Sequence, residues 1–344
     1  MSVTLEDIAG QTGVDKSTVS KILSGKARAA RISREREAYV LSVAEKLNFR
    51  PNAAARAMSE GRFGCIALLM STGETSSTLP QRTQIGIHDA LARHDLHLTM
   101  TRLPDDKLTS EGFVPKILRE AMADGLLVNY TDHIPAKLRE LMDRYHLPSV
   151  WMNTRLLHDC VYPDDLDAGR QATEYLLAKG RRRIAYVDYC HSSDEPELVH
   201  YSAVDRRVGY ERAMQTAGLL PHVIQAPADS GVGSLEQFSR QWIQSAGGVE
   251  AVVAYSEFEV NPIFIAGLKL GHEVSLITFG NDLVTMGDCL IPTMLSPQGC
   301  LGRAAVEMLL EKIKVPQSKL EGRPIRFSLS LDTKTAADVL SAGD

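Results

Sequence analysis

The stretch LEDIAGQTGVDKSTVSKILSG, residues 5–25, decides the fold of the first part of the chain. Thr4 lies just before this stretch and Asp7 lies within it. The two have the spacing of a capping box, which predicts the start of a helix. We expect Gly13 to end that helix, because glycine adopts the positive φ of a tight turn without steric cost. The stretch therefore begins with one short helix and a turn.

A second helix follows the turn. Asp15 is a good N-cap, and Val19 and Ile22 recur at helical spacing until Gly25 stops the segment. Two short helices joined by a glycine turn are typical of a helix-turn-helix, whose second helix lies in the major groove of DNA. The alternative is a helical hairpin whose polar side faces only solvent.

The polar residues around this second helix are the predicted DNA contacts. Lysine can donate to O6 and N7 of guanine, and a hydroxyl can bond to a base or a phosphate. The lysines and serines of the helix lie clear of its apolar side, so they are available to the groove. The contacts predicted here are Thr4, Lys16, Ser17, Thr18, Ser20 and Lys21.

A third helix is expected from Ser33 to Leu47, followed by a break at residues 50–52. Residues 53–58, AAARAM, favour a helix but are too few to be stable alone, so a partner must order them.

Charge is unevenly distributed along the chain, whose formal net charge is −5. Residues 1–62 hold 11 basic and 7 acidic side chains, whereas residues 63–344 hold 27 basic and 36 acidic ones. A basic head before an acidic body indicates a polyanion-binding module at one end. A solvated charged surface would give the same asymmetry.

From Gly64 onward, short apolar runs alternate with amphipathic stretches, which predicts an α/β fold. We expect two doubly wound parallel-sheet halves, with ligands at the carboxyl ends of the strands and in the cleft between the halves. The predicted strands are 65–70, 97–101, 125–129, 148–152, 183–189, 222–225, 249–255 and 273–279. The predicted helices are 80–94, 112–123, 135–145, 167–179, 204–217, 235–245 and 260–270.

Two segments of the head resemble a LacI/GalR family transcription regulator. They are residues 5–25 and AEKLNFRPNAAARAM, residues 44–58, which match the helix-turn-helix, third helix and hinge of that family. The resemblance implies a small all-α DNA-binding domain over residues 1–50, then a hinge helix and linker over residues 51–62.

The resemblance also implies DNA contacts in the hinge. Asn52, Ala55 and Arg56 fall on the hinge helix. Met58 takes the position of the usual leucine, whose side chain wedges between central base pairs from the minor groove.

One departure from the family pattern is the loop Gly25–Ile32, which is longer than usual. It adds Lys26, Arg28 and Arg31, and we interpret the loop as an extra phosphate contact that adds affinity without sequence specificity.

The rest of the chain resembles the effector domain of the family, which is similar to periplasmic sugar-binding proteins. The matching stretches are residues 165–187, 205–219 and 291–313. The implied effector-binding and dimerisation domain spans residues 63–344. Its first half would cover residues 63–162 and 292–323, and its second half residues 163–291 and 324–344.

Effector contacts follow from the resemblance one position at a time. Arg206 takes the position of the ligand-binding arginine, and its fork could hold a carboxylate, a phosphate or vicinal hydroxyls. A purely structural ion pair is the alternative for this residue. Asn153, Tyr162 and Ser202 also fall at pocket positions.

Other pocket positions depart from the family pattern. Tyr255 and Ser256 stand where Asn-Asp is usual, and Asn281 ends the segment that is usually Phe-Asp-Asp. Ser296 replaces a frequent glutamine. These four residues remain candidate effector contacts, but the acidic groups that grip sugar hydroxyls are largely missing. The effector, a sugar or a sugar derivative, therefore stays open.

No motif predicts catalysis, a cofactor or a metal. Neither G-x-S-x-G nor H-E-x-x-H occurs, so we expect no enzyme activity. The five cysteines lie far apart without a C-x-x-C pair, so we expect no metal site. The acids Asp164, Asp165 and Asp167 precede a helix, where such residues cap the helix end.

The sequence thus predicts a homodimeric, sequence-specific DNA-binding regulator, a repressor that binds a pseudo-palindromic operator under allosteric control by a small-molecule effector. The N-terminus lacks the features of a signal peptide and no apolar run could span a membrane, so we expect a cytoplasmic location. The alternative is a cytoplasmic small-molecule binding protein with a vestigial head. The intact run from Lys16 to Lys21 favours the regulator.

Overall fold

The computed structural model describes residues 3–52, 55, 57, 61–73, 77–108, 112–131, 134–191, 199–226, 232–245 and 248–333. The chain divides into two compact units, Met1–Phe63 and Gly64–Asp344. The first unit is the basic head, and the second is the acidic body. Among the described residues, none of the helices is both long and apolar enough to cross a membrane.

The head consists of three helices, α1 (Leu5–Thr12), α2 (Lys16–Leu23) and α3 (Arg34–Lys46). Each begins where the sequence predicts, because the side chains of Thr4, Asp15 and Ser33 accept backbone amides of the first turn. Gly13 ends α1 with a φ of 68°. The three helices enclose a small core of Ile8, Val19, Ile22, Ala27, Val40, Val43 and Ala44.

The first half of the body is a parallel sheet of order β13-β5-β4-β3-β1-β2, covered by helices. Its strands are β1 (Cys65–Ser71), β2 (His97–Leu103), β3 (Gly125–Asn129), β4 (Ser149–Met152), β5 (Cys160–Pro163) and β13 (Arg323–Ile325). Its helices are α4 (Gln81–Ala92), α5 (Asp105–Leu108), α6 (Lys116–Arg119), α7 (Ala136–Arg144) and α12 (Gln298–Lys314). Alternate residues of β1 enter two different apolar clusters, Leu68 one and Leu69 the other, so both faces of the sheet are buried.

The second half repeats this arrangement with the order β14-β12-β9-β8-β6-β7. Its strands are β6 (Ile184–Asp188), β7 (His222–Gln225), β8 (Ala251–Ala254), β9 (Ser275–Gly280), β12 (Thr293–Leu295) and β14 (Ser328–Ser330), of which β14 is antiparallel to its neighbour. Its helices are α8 (Asp165–Ala178), α9 (Tyr201–Thr216), α10 (Val232–Ile243) and α11 (Glu257–Leu270). A hairpin of β10 (Val284–Met286) and β11 (Cys289–Ile291) lies between β9 and β12 in the chain. The predicted doubly wound α/β body is confirmed.

The chain crosses between the halves later than predicted. The return to the first half does not occur at residue 292, because β12 pairs with β9 of the second sheet, so the crossing falls between Leu295 and Gln298. The exit after residue 323 is also late, because β13 extends to Ile325 and pairs with β5. Strands of three residues carry too little periodicity to reveal their sheet, which their partner strand decides.

The predicted helix over residues 112–123 is wrong in length. Only Lys116–Arg119 are helical, and Glu120 is extended, with φ −113° and ψ 133°. Pro115 disfavours a helical conformation at the residue before it, so the helix cannot begin earlier. The amphipathic spacing of this segment reflects burial of Leu118 beneath a mostly irregular connection.

Candidate DNA-binding surface and effector cavity

The first turn of α2 presents polar side chains that are already hydrogen-bonded to its cap. Asp15 accepts the amides of Ser17 and Thr18 at 2.9 and 3.1 Å, and both of their hydroxyls at 2.6 Å. The hydroxyl of Ser17, and after it that of Thr18, lowers the pKa of Asp15. Because both hydroxyl hydrogens point to Asp15, these residues can accept from a base amino group, but must release Asp15 to donate to a phosphate.

The two lysines of α2 differ in their surroundings. Nζ of Lys16 lies 2.7 Å from Oε1 of Glu6 in an exposed ion pair. Lys21 is exposed and has no ion pair with any described residue of the head. Ser20 is exposed beside it, whereas Thr4 is occupied by its capping box with Asp7. Lys21 is therefore the basic group of α2 that is most available to another molecule.

The loop Gly25–Ile32 is an anchored turn. Ala27 is 1% exposed in the head core, and its carbonyl accepts the amide of Ile32 at 3.0 Å. The neighbours Lys26 and Arg28 are exposed. Burial of Ala27 thus anchors the loop, and its two cationic neighbours lie at the surface.

The hinge is described in part. Oδ1 of Asn52 accepts the amide of Ala55 at 3.2 Å, and Ala55 and Ala57 are helical. Ala55 is exposed. Arg56 and Met58, the other predicted hinge contacts, lie outside the described residues.

The body contains a cavity of about 480 Å³, a volume typical of small-molecule sites. Residues that follow the carboxyl ends of strands in both halves line it, as doubly wound sheets predict. The predicted effector contacts that the structure brings together here are Asn153, Ser202, Arg206, Tyr255, Ser256, Asn281 and Ser296.

Tyr162 is not among the residues that line the cavity. Its ring packs edge-on against Tyr201, with centroids 5.9 Å apart, and lies against the apolar cluster that contains Leu69. Its neighbour Val161 belongs to the cluster on the other face of the sheet. Side chains alternate along a strand, so a position carried over from a family pattern does not ensure that the side chain faces the cavity.

Arg206 is the one arginine among the described residues that line the cavity, which contain no lysine. Its Nε lies 2.7 Å from Oδ1 of Asp165, and its Nη1 donates to the carbonyl of Tyr255 at 2.8 Å. The guanidinium lies 4.4 Å from the ring centroid of Phe279 and 5.8 Å from that of Phe327. Burial by itself lowers the pKa of Arg206, but Asp165 and the tyrosine hydroxyls outweigh it, so the pKa lies above its ordinary value. Arg206 is therefore both a cavity residue and a structural ion-pair partner.

Asp165 corrects the interpretation of the three acids at the start of α8. Asp164 is the N-cap and accepts the amide of Asp167 at 3.1 Å, so capping is confirmed for Asp164. Asp165 is 1% exposed and forms the ion pair with Arg206 instead. The sequence could not distinguish the two, because their different roles depend on α9 lying beside the start of α8.

A chain of hydrogen bonds crosses the cavity from Tyr255 to Asn153. Nε2 of His200 lies 2.9 Å from the carbonyl of Asn153, and Nδ1 lies 2.8 Å from the hydroxyl of Ser202. Because a carbonyl only accepts, the neutral ring carries its proton on Nε2, and Nδ1 accepts from Ser202. The Ser202 hydroxyl lies 3.0 Å from that of Tyr255 and accepts a hydrogen bond from it.

Several residues that line the cavity were not among the predicted effector contacts, and the cavity contains more acidic residues than predicted. Asp165, Glu257 and Asp282 line the cavity, so acidic groups are present at positions other than those usual in the family. Asn129 follows a buried strand, and a polar residue at that place is a signal that could have identified it. The other missed polar residues are Thr78, Thr83, His200 and Gln298.

Comparison with known proteins identifies the two parts of the chain. Residues 4–52 match the family model "Bacterial regulatory proteins, lacI family". Residues 80–333 match "Periplasmic binding proteins and sugar binding domain of LacI family". The chain belongs to the LacI family. It is a DNA-binding transcription regulator with the helix-turn-helix head and the effector domain of that family.

Individual members of the LacI family align with nearly the whole chain. The HTH-type transcriptional regulator GntR of Pseudomonas aeruginosa is 27% identical over 322 residues, which cover 90% of this chain and 89% of that protein. The ribose operon repressor of Escherichia coli is 25% identical over 94% of this chain and 97% of its own length. The lac repressor dimer bound to operator and the anti-inducer ONPF has the same fold, with a TM-score of 0.70 at 17% identity over 97% and 99% of the two chains.

Ion pairs join the two halves of this LacI-family body at the edges of the cavity. Nη1 of Arg82 lies 2.8 Å from Oδ1 of Asp282 and also donates to the carbonyl of Asn281. Nη1 of Arg155 lies 2.6 Å from Oδ2 of Asp205. Together with the bond from His200 to Asn153, these contacts hold the halves in the arrangement seen here.

Because glycine has no Cβ, the helices beside the cavity pack with their backbones in direct contact. A Cβ on Gly86 of α4 would lie 2.2 Å from the carbonyl oxygen of Gly299 on α12. In the second half, a Cβ on Gly169 of α8 would lie 2.2 Å from the carbonyl oxygen of Arg206 on α9. Each half thus positions its cavity residues through one close helix pair.

A group of metal-ligating residue types lies next to Tyr255 in the described part of this LacI-family chain. Its members, Asp188, Cys190 and Glu259, have ligand atoms within 4.8 Å of one another. Their hydrogen bonds explain the group without a metal, since Glu259 accepts the amides of Tyr189 and Ser256 at 3.0 and 2.8 Å. Burial, and then the charge of Glu259, raises the pKa of Cys190 to about 12, so its sulfur stays a neutral thiol.

Proposed function

We propose that this regulator represses transcription as a homodimer on a pseudo-palindromic operator and that a small molecule in the body cavity controls it. Two heads would read two half-sites, as dimeric helix-turn-helix proteins do. The observation that carries the proposal is that one chain joins an exposed polar helix N-terminus to a ligand-sized cavity. The similarity to a ribose operon repressor supports repression.

The proposed DNA contacts are of two kinds. Ser17, Ser20 and Lys21 of α2 reach base edges, while Lys26 and Arg28 contact phosphates and add no sequence preference. The hinge contacts remain those that the family pattern implies: Asn52, Ala55, Arg56 and Met58.

The proposed effector is a neutral, hydroxyl-rich molecule such as a sugar. Arg206 is already matched by Asp165, so an anionic effector would have to compete with a buried carboxylate for it. Glu257 adds a negative charge to the lining, which disfavours anions further, while Asp282 is already paired with Arg82. The sugar-binding family model and the ribose operon repressor support this class.

The chain acts by binding rather than by turnover, and it acts in the cytoplasm. The relatives reported above are named as transcription regulators, which supports both statements.

The test of DNA recognition is selection of bound duplexes from a random pool by the full chain. We expect a pseudo-palindromic motif whose affinity falls about ten- to a hundredfold in Lys21→Ala, because one base contact contributes about 1 to 3 kcal/mol. Lys46→Ala removes the same charge at the end of α3 and is the matched control, with an expected loss of less than about threefold.

Recovery of no motif by the full chain would contradict the regulator. An equal loss on the selected motif and on random duplex in Lys21→Ala would instead reassign Lys21 to a phosphate.

A further inference from the structure

Two buried polar atoms on the first-half side of the cavity have no hydrogen-bond partner among the described residues. They are Oγ1 of Thr83 on α4 and Nε2 of Gln298 on α12. Thr83 is 3% exposed and Gln298 is 5% exposed, and both line the cavity. Both side chains are therefore largely shielded from bulk solvent.

Several other threonine and glutamine side chains among the described residues are paired. The hydroxyls of Thr12, Thr173 and Thr216 each donate to the carbonyl four residues earlier in their helix, at 2.7 to 2.8 Å. The amides of Gln171 and Gln225 donate to Asp167 and to the carbonyl of His191. Thr83 and Gln298 lie in the first turns of their helices and depart from this pattern.

A buried polar atom without a partner is costly, by the equivalent of about tenfold or more in an equilibrium constant, and folded proteins rarely keep one. The unfilled space that both side chains border is the cavity. Their missing partners are therefore expected to come from a molecule bound there.

We propose that Thr83 and Gln298 form a subsite that recognises one hydroxyl group of the effector and so determines its specificity. The inference rests on the proposed effector class and deepens it. An amide nitrogen only donates, whereas a threonine hydroxyl both donates and accepts. A ligand hydroxyl meets both needs, because its oxygen accepts from Nε2 of Gln298 while its hydrogen is donated to Oγ1 of Thr83.

The charge distribution favours a hydroxyl over a carboxylate at this subsite. The charged residues among those lining the cavity, Asp165, Arg206, Glu257 and Asp282, all belong to the second half. The first half contributes uncharged lining residues such as Asn129 and Met152, and Arg82, the residue before Thr83, is already paired with Asp282, so a carboxylate there would have to compete for its cation.

The backbone holds the two side chains in fixed positions. A Cβ on Gly302 of α12 would lie 2.3 Å from the carbonyl oxygen of Thr83, so the two helices touch at Thr83 itself. The contact of Gly86 with Gly299 lies one residue from Gln298. A subsite on two rigid helices is preorganised, which favours discrimination between similar ligands.

The test compares Thr83→Val and Gln298→Leu with the matched controls Thr173→Val and Gln171→Leu, all in the full chain. The probes are D-ribose, D-glucose, cellobiose and the anion D-gluconate. The melting temperature without probe and the dissociation constant with probe are measured for each variant. The probe that binds is then replaced by its single-deoxy analogues.

We expect Thr83→Val and Gln298→Leu to keep or raise the melting temperature, because each removes a polar atom that has no partner. Their affinity for the neutral sugar that binds should fall tenfold or more. The controls lose real hydrogen bonds, so their melting temperatures fall while their affinities stay. One deoxy analogue should bind wild type and Thr83→Val equally.

The inference is overturned if wild type binds a probe and both cavity variants bind it equally well. It is also overturned if Thr83→Val lowers the melting temperature as much as Thr173→Val, which would mean that a protein group pairs with Thr83. Preference for D-gluconate through this subsite would likewise overturn it. Binding of no probe by wild type contradicts the proposed effector class itself, which separates the two failures.

Discussion

The two halves of the body share one strand order, yet they offer opposite walls to the cavity. The second half supplies the charged residues that line the cavity. Arg206, the cation among them, is bonded to Asp165 and Tyr255 of the same half. The first half supplies uncharged residues, and two of them, Thr83 and Gln298, have polar atoms without a partner in the described chain. The second-half wall thus has its central cation paired within its own half, whereas the first-half wall has two polar atoms whose partner we propose to be the ligand.

This difference bears on how a ligand can control the body. A ligand changes the balance between two arrangements only through interactions that differ between them. The bonds of Arg206 lie within one half, so they persist when the halves move. The bonds from Arg82 to Asp282 and from Arg155 to Asp205 cross between halves and would change.

The largest predicted effect comes from removing the central cation of the second-half wall. Arg206→Ala leaves Asp165 as an uncompensated buried carboxylate, and we expect a loss of about 3 to 5 kcal/mol in the free energy of unfolding. Arg170→Ala removes an exposed arginine that pairs with Asp167 and Glu174, and should lose less than about 1 kcal/mol. Denaturant unfolding of both variants measures the contrast.

Equal losses for the two arginine variants would show that the Arg206 pair is no more than a surface ion pair. The double variant Arg206→Met with Asp165→Asn sharpens the test, because removing both charges should restore part of the stability.

The next largest effect comes from substituting the glycine at the close helix contact beside each wall. Gly86→Ala and Gly169→Ala each force a Cβ against a backbone carbonyl, so we expect a loss of about 1 to 3 kcal/mol from overpacking. Gly10→Ala in α1 has no atom within 4 Å of the new Cβ and should instead gain up to about 1 kcal/mol from helix propensity. Thermal unfolding measures all three, and a gain for Gly86→Ala would contradict the close contact.

The smallest predicted effect is a dependence on pH that belongs to the second half. Burial raises the pKa of Glu259 above its ordinary 4.5, so the folded state holds this proton more tightly than the unfolded state. The contribution of Glu259 to stability is therefore fully present below pH 4.5 and is lost as pH rises through the folded pKa.

Melting temperatures between about pH 4 and pH 8 test this dependence. Glu259→Gln should reduce the decline with rising pH, while Thr83→Val in the uncharged wall should keep the wild-type profile. Asp205, whose pKa burial also raises, has the same sign and leaves a residual slope. An unchanged profile in Glu259→Gln would contradict the assignment.

Much of the head follows from local sequence. Thr4, Asp15 and Ser33 begin helices where predicted, because a cap needs only the residues of the next turn. Most of the predicted strands of the body recur within a few residues, because apolar runs mark them. The predicted helix over residues 112–123 is wrong in length, because the apolar spacing favoured a long helix although Pro115 disfavours a helical residue before it.

The cavity was predictable only in outline. Seven of the eight candidate effector contacts line it, while Tyr162 faces the Tyr201 side of its strand instead. Thr83 and Gln298 carry no sequence signal, since a threonine and a glutamine in first turns are ordinary. What marks them is a missing partner, which depends on all neighbours in space.

The sequence by itself determined the three-helix head, the alternation of strands and helices in the body and the resemblance that names the family, because these depend on local spacing. The tertiary structure decided that Asp165 pairs with Arg206 rather than capping α8, to which half β12 and β13 belong, and which polar atoms stay unpaired. Those features depend on contacts between residues far apart in the chain, and no local pattern encodes such contacts.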